Sequence, residues 1–162
     1  IGTGTGYFAD AMVGRGWKVE AVEKSPQARA FAKEHFDLDV KPESALQEFA
    51  PGSFDVITLW HVMEHLEHLN ETWEMLRELL TEKGMLIVAV PNCFSYDAGR
   101  YGGDWAAYDV PRHLWPFTPG TIQQIASRHG FIMAAGPPVP GGAVFVAGLG
   151  VRLSWSPLLA LP

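Results

Sequence analysis

The sequence predicts an α/β protein with a doubly wound, mostly parallel sheet, and three observations carry that expectation. Strand-like and helix-like patterns alternate along the chain, the order that builds parallel strands joined by right-handed crossovers. Phe54–Leu59 (FDVITL) and Met85–Val90 (MLIVAV) are nearly continuous apolar runs, as strands covered on both faces must be. Gly2, Gly4 and Gly6 alternate ahead of a helical pattern over 7–13. A sharp turn from strand into helix, and the approach of a ligand to bare main chain, both exclude a Cβ.

Taken in order, Trp17–Val22 reads as a strand ending at Glu23, and Ser25-Pro26 as a cap and first residue of a helix with Ala28, Phe31, Ala32 and His35 on one stripe. Asp37–Lys41 is a weak strand, followed by Glu43–Leu46 and a Pro51-Gly52 turn. Phe54–Leu59 belongs at the centre of the sheet. Asn70 can cap a helix with Trp73, Leu76, Leu79 and Leu80 on one face, closed by Gly84, and Met85–Val90 is the next strand. Asn92–Phe117 has no period and holds seven aromatics beside Gly99, Gly102 and Gly103, the composition expected of a lid or binding loop. Thr118-Pro119 opens a helix with Ile122, Ile125 and Ala126 on one side, ended by Gly130, and Phe131–Ala135 is a further strand. Gly141–Pro162 is rich in Pro, Gly and bulky apolar residues and receives no element.

At 162 residues the chain suits one domain, read as 1–135 with an apolar C-terminal segment 136–162. A net charge of −6 without a Lys/Arg cluster argues against a nucleic-acid partner, because neutralising phosphates requires a basic patch. One cysteine, Cys93, forms no internal disulfide and fits a reducing, cytoplasmic compartment. The apolar run Ala143–Val151 is too short to span a bilayer. The chain starts at Ile1, directly before Gly2, so it reads as a fragment lacking most of the strand that should deliver the glycine turn.

The glycine turn serves two ligand classes. Gly4–Ala9 matches the Gly-x-Gly-x-x-Ala pattern of dinucleotide sites, and Glu23, 17 residues after Gly6, can accept hydrogen bonds from the two ribose hydroxyls of any adenosine ligand. A dinucleotide and a sulfonium-bearing adenosine derivative both remain open on this ground.

The whole run Ile1–Phe8 resembles the first motif of class I S-adenosylmethionine (SAM) dependent methyltransferases, three alternating glycines before an aromatic residue. Glu43–Leu46 resembles the second motif, with Glu where Asp is commoner; Phe54–Ile57 and His61–Leu66 resemble the fourth strand and an apolar-Glu-His segment. Lys83–Leu86 resembles the turn into strand five, and Pro111–Leu114 with Phe117-Thr118 a stretch before the last crossover helix. These segments run in family order over residues 1 to 135, and the resemblance is to bacterial quinone-type and small-molecule enzymes. It implies a Rossmann-like fold lacking most of strand 1 and the closing antiparallel strand. It implies SAM as cofactor, held by Gly2, Gly4, Gly6, Tyr7, Phe8, Glu23, Lys24, Glu43, Ser44, Ala45 and Trp60. A small, partly apolar methyl acceptor would be enclosed by the aromatic loop, and Gly141–Pro162 offers a peripheral membrane or lipid-like contact.

Methyl transfer needs alignment and exclusion of water more than acid–base chemistry. For a hydroxyl acceptor, His113 or Asp109 in the aromatic loop, or His61 after a strand end, can take the proton. The string His61-x-x-Glu64-His65 has zinc-site spelling, but a third ligand is missing, since no Glu follows Glu82 and His68 stands only three residues on; no metal is expected. An NAD-dependent oxidoreductase and a non-catalytic SAM-binding domain are the competing readings.

Overall fold

Gly2, Gly4 and Gly6 take φ of 66°, 57° and 94°, values that side chains disfavour, and this winds residues 1–6 into a tight turn. The amides of Gly2 and Thr3 both donate to the carbonyl of Val22 (2.9 and 3.2 Å). The computed structural model describes residues 1–139 and 142–149, and the chain forms two compact units, Ile1–Ala50 and one that begins at Pro51.

In the first unit the turn leads into α1 (Tyr7–Val13), and α2 (Pro26–Phe36) starts as the sequence predicts, with Ser25 Oγ accepting from the Ala28 amide and Pro26 at the first position. Ala9, Ala21, Ala32 and Val40 are buried together, with Val19 and Leu38 against them. The small residues matter. A Cβ on Gly6 would stand 2.9 Å from the Cβ of Ala32, so the turn and α2 approach as closely as glycine and alanine allow. Trp17–Val22 does not form the expected strand: its ladder is the single parallel bridge Val22 to Lys41. Propensity alone makes no strand; a strand exists where a neighbour supplies ladder bonds.

The second unit is built on a four-stranded sheet of β1 (Phe54–Trp60), β2 (Leu80–Val90), β3 (Phe131–Val139) and β4 (Gly142–Leu149) in the order β1-β2-β4-β3. β1 pairs parallel with β2, and β4 runs antiparallel to both β2 and β3, so three strands share one direction. The α/β, mostly parallel expectation holds. The expectation of a missing last strand does not, because Gly142–Leu149 is the reversed strand, seated between β2 and β3. Prolines and glycines at 136–142 read as punctuation, whereas the two flanking ladders supply the backbone partners that make 142–149 a strand. The other residues of the apolar tail, from 150 on, lie outside the described residues.

Between β1 and β2, α3 (Leu69–Leu79) buries Leu69, Trp73, Leu76 and Leu79, one face at helical spacing. Leu80 opens β2 directly rather than closing the helix, and Gly84 lies inside that strand at an irregularity in its register against β1. Trp73 is 1% exposed and meets Phe131 edge-on at 5.3 Å between ring centres. The aromatic segment is more ordered than its composition suggests: Ser95 caps α4 (Tyr96–Tyr101), and 3-10 turns follow at Gly102–Asp104 and Ala106–Tyr108. α5 (Pro119–Arg128) has a reciprocal cap, in which Thr121 N donates to Thr118 Oγ1 and Thr118 N to Thr121 Oγ1 (3.1 and 2.9 Å), and it buries Ile122 and Ala126. Among the described residues no helix is long and apolar enough to cross a membrane.

Removing the Trp73 side chain leaves a large cavity, and truncations of this kind cost about 3–5 kcal/mol. Trp73→Ala is therefore expected to lower the urea midpoint of the full chain by that equivalent, measured by fluorescence and far-ultraviolet dichroism, whereas Trp17→Ala, at a side chain 53% exposed, is expected to shift it little.

Candidate functional site

The first unit joins the two halves of the sequence motif. Glu23 Oε2 accepts from the amide of Gly4 (2.9 Å) and Oε1 from the amide of Ser25 (2.8 Å), so one carboxylate ties the glycine turn to the start of α2. Arg29 Nη1 donates to the carbonyls of Glu23 and Lys24 (2.8 and 2.9 Å) and fixes the chain between them. A carboxylate has about four acceptor sites, so two remain for hydroxyl donors. The glycines divide their work. Gly6 is needed for packing against Ala32, but among the described residues a Cβ on Gly4 would meet nothing within 4 Å, and its main chain stands open at φ 57°.

The other cofactor candidates of this unit are less closely tied. Tyr7 is 65% exposed and lies edge-on to Phe36 at 4.9 Å; Phe8 and Lys24 are also exposed. Glu43 and Ser44 stand exposed on the 3-10 helix Glu43–Glu48, while Ala45 turns inward and donates its amide to the carbonyl of Pro42 (3.0 Å).

In the second unit β1 ends at Trp60, 37% exposed, and His61 follows with φ 54° while its amide still bonds the carbonyl of Ala89 (2.9 Å). A non-glycine residue held in this region is strained and persists only where its surroundings over-determine it. The 3-10 turn Met63–His65 then carries Glu64, 1% exposed, neither of whose carboxylate oxygens has a hydrogen bond among the described residues; His61 Nδ1 lies 3.4 Å from Oε1. Only the apolar neighbours Val62 and Met63 hint at this burial in the sequence.

Segment 109–116 is strapped to that turn. The amide of Leu114 donates to the carbonyl of Glu64 (2.8 Å), Trp115 Nε1 donates to the carbonyl of Leu66 (2.6 Å), and His65 Nδ1 bonds the carbonyl of Arg112 (3.0 Å). Asp109 accepts from Arg112 Nε and Nη2 (3.1 and 2.6 Å), and this guanidinium holds its carboxyl below the usual carboxylate range. His113 gives Nδ1 to the carbonyl of Ala107 (2.7 Å), with Nε2 3.8 Å from Asp109 Oδ2 and its ring 4.6 Å from that of His65. Of the sequence candidates, His113 and Asp109 are thus brought together. His113 also borders a cavity of about 190 Å³ lined by Cys93, Tyr108, Val110 and Trp115, where burial pushes the Cys93 thiol up.

The zinc spelling at 61–65 does not take zinc geometry, because the motif needs both histidines on one α-helical face and here it spans a strand end and a 3-10 turn. Donor atoms of Glu64, His65 and His113 do lie within 4.8 Å of one another, a different set that sequence spacing could not show. Proximity alone assigns no ion to it.

A model of the methyltransferase-domain family matches residues 1–135. The mitochondrial ubiquinone biosynthesis O-methyltransferase of Schizosaccharomyces pombe is 32% identical over 97 residues, 55% of this chain and 35% of that protein. The ubiquinone biosynthesis O-methyltransferase of Burkholderia vietnamiensis is 32% identical over 121 residues, 69% of this chain and 52% of that protein. The chain therefore spans about a third to a half of the length of these curated relatives. A SAM-dependent methyltransferase from Archaeoglobus fulgidus superposes with a TM-score of 0.72 at 17% identity, covering 91% of this chain and 83% of that one, which shows a shared fold. With the family pattern matched over most of its length, and that fold beneath it, the chain belongs to the methyltransferase-domain family.

Proposed function

We propose that this chain binds SAM at the glycine turn and transfers its methyl group to a small-molecule acceptor. The observation that carries the reading is the bond from the Gly4 amide to Glu23 Oε2 (2.9 Å), which sets a carboxylate with spare acceptor sites beside open main chain. In this reading Glu23 holds the two ribose hydroxyls, and the backbone at Gly2, Gly4 and Gly6 meets the amino-acid tail. Tyr7, Phe8, Lys24, Glu43, Ser44 and Ala45 are the further cofactor candidates of the first unit, and Trp60 is a separate candidate in the second. When bound, SAM supplies an activated methyl carbon, and the protein orients the reactants and excludes water.

The cavity beside His113 suits a small, partly apolar acceptor, as its lining is mostly apolar and aromatic. A hydroxyl acceptor must lose a proton, for which His61, His113 and Asp109 are the candidates. Asp109 is engaged by Arg112, which leaves the two histidines as the better bases. Family membership favours this reading over hydride transfer from NAD, although the carboxylate and glycine turn suit either ribose. A non-catalytic SAM-binding domain would keep the seat without turnover.

Calorimetric titration of the full-length protein with S-adenosylhomocysteine is expected to show saturable binding that NADH does not displace. Glu23→Ala removes two charge-assisted bonds to ribose, worth about 2–4 kcal/mol, so affinity is expected to fall by roughly 30- to 1,000-fold. Absence of heat with the intact protein would refute the cofactor assignment. Gly4→Ala and Gly6→Ala are expected to separate: the first weakens the titration with a stability loss of about 1 kcal/mol, and the second, whose Cβ strikes Ala32, costs about 1–3 kcal/mol of stability in urea as well.

A further inference from the structure

We propose that Glu64 is a positioning residue: its buried carboxylate holds the imidazole of His61 in the Nδ1–H tautomer, so that Nε2 is presented at the end of β1 as proton acceptor for a hydroxyl methyl acceptor. The inference rests on the methyl-transfer reading above and gives a role to the Glu of the apolar-Glu-His segment, which the sequence analysis left without one.

A carboxylate 1% exposed and without a hydrogen bond among the described residues is unfavourable unless a donor or a positive charge compensates it. Three imidazoles stand near Glu64 among the described residues. His65 gives its Nδ1 to the carbonyl of Arg112 and His113 gives its Nδ1 to the carbonyl of Ala107, while Arg112 itself is taken by Asp109, the carboxylate 3.8 Å from His113 Nε2. His61 differs from both, because its Nδ1 faces Glu64 Oε1 at 3.4 Å and its side chain is 57% exposed. Bonds of this kind are often long without ligand and tighten in the complex. The strained backbone of His61, pinned by the carbonyl of Ala89, holds the ring at the carboxyl end of the sheet, where α/β sheets place their ligands.

In the transfer step the acceptor hydroxyl gives its proton to His61 Nε2, and its oxygen electron pair forms the bond to the methyl carbon of SAM. The carbon–sulfur bond breaks, and its electron pair stays on sulfur, which becomes the neutral thioether of S-adenosylhomocysteine. The positive charge leaves sulfur and appears on the His61 imidazolium, where the Glu64 carboxylate stabilises it.

Nitrogen-15 histidine spectra of the full-length protein test this without any acceptor. His61 is expected in the Nδ1–H form, against the Nε2–H form usual for a free histidine. Glu64→Gln, whose amide oxygen still accepts, is expected to keep that form, and Glu64→Met is expected to shift the proton to Nε2. Wild-type His61 in the Nε2–H form overturns the proposal, as does an unchanged tautomer in a folded Glu64→Met protein. Stoichiometric Mg²⁺ or Zn²⁺ that moves the His61, His65 and His113 signals together would also overturn it, replacing the pair by a cation site. Should Glu64→Met fail to fold, the wild-type spectrum decides. The result is independent of the calorimetric test, so failure of the pair and failure of the cofactor reading are distinguishable.

Discussion

A carboxylate that accepts two backbone amides is the constraint on which the first unit depends. Glu23 spans from Gly4 to Ser25, and without it the glycine turn and the cap of α2 would each leave a donor to find another partner. Charge-assisted bonds to backbone are among the stronger ones available to a small unit whose core is largely alanine and valine. The same bonds orient the carboxylate's remaining acceptor sites. Structural and ligand-binding duties therefore fall on one side chain, and the geometry that stabilises the turn also prepares the seat.

The second unit solves a different problem. Its sheet supplies a rigid carboxyl edge, from which His61 and the Met63–His65 turn emerge, and the aromatic segment is fastened to that turn by backbone and side-chain bonds from Leu114, Trp115 and His65. Loops that carry function must be held by something stiffer than themselves. Here the stiffness comes from β1 and β2, paired in register from Val56 to Trp60, and from the buried face of α3. The cavity wall formed by Tyr108, Val110, His113 and Trp115 inherits its position from these fastenings.

Two buried polar features stand out against that apolar frame. Among the described residues, Trp73 Nε1 and both oxygens of Glu64 lack hydrogen bonds. The indole is a large apolar body with one misplaced donor, a modest penalty offset by its packing. A carboxylate has no such body, and its burial asks for a charged or donating neighbour. That difference separates Glu64 from ordinary core residues and couples it to the histidines around it.

The sequence by itself determined the elements whose signals are local. The caps at Ser25 and Thr118, the α3 stripe through Trp73, Leu76 and Leu79, the two apolar strands and the glycine turn all rest on spacing within a few residues, and each is found where the pattern puts it. Tertiary structure alone decided the rest, because those features depend on partners distant in the chain. Trp17–Val22 is reduced to one bridge and Gly142–Leu149 becomes a strand because ladder bonds, not propensity, define strands. Glu64 is buried, and His113 meets His65, beside a strap linking residues nearly fifty positions apart, a distance over which no sequence period reports.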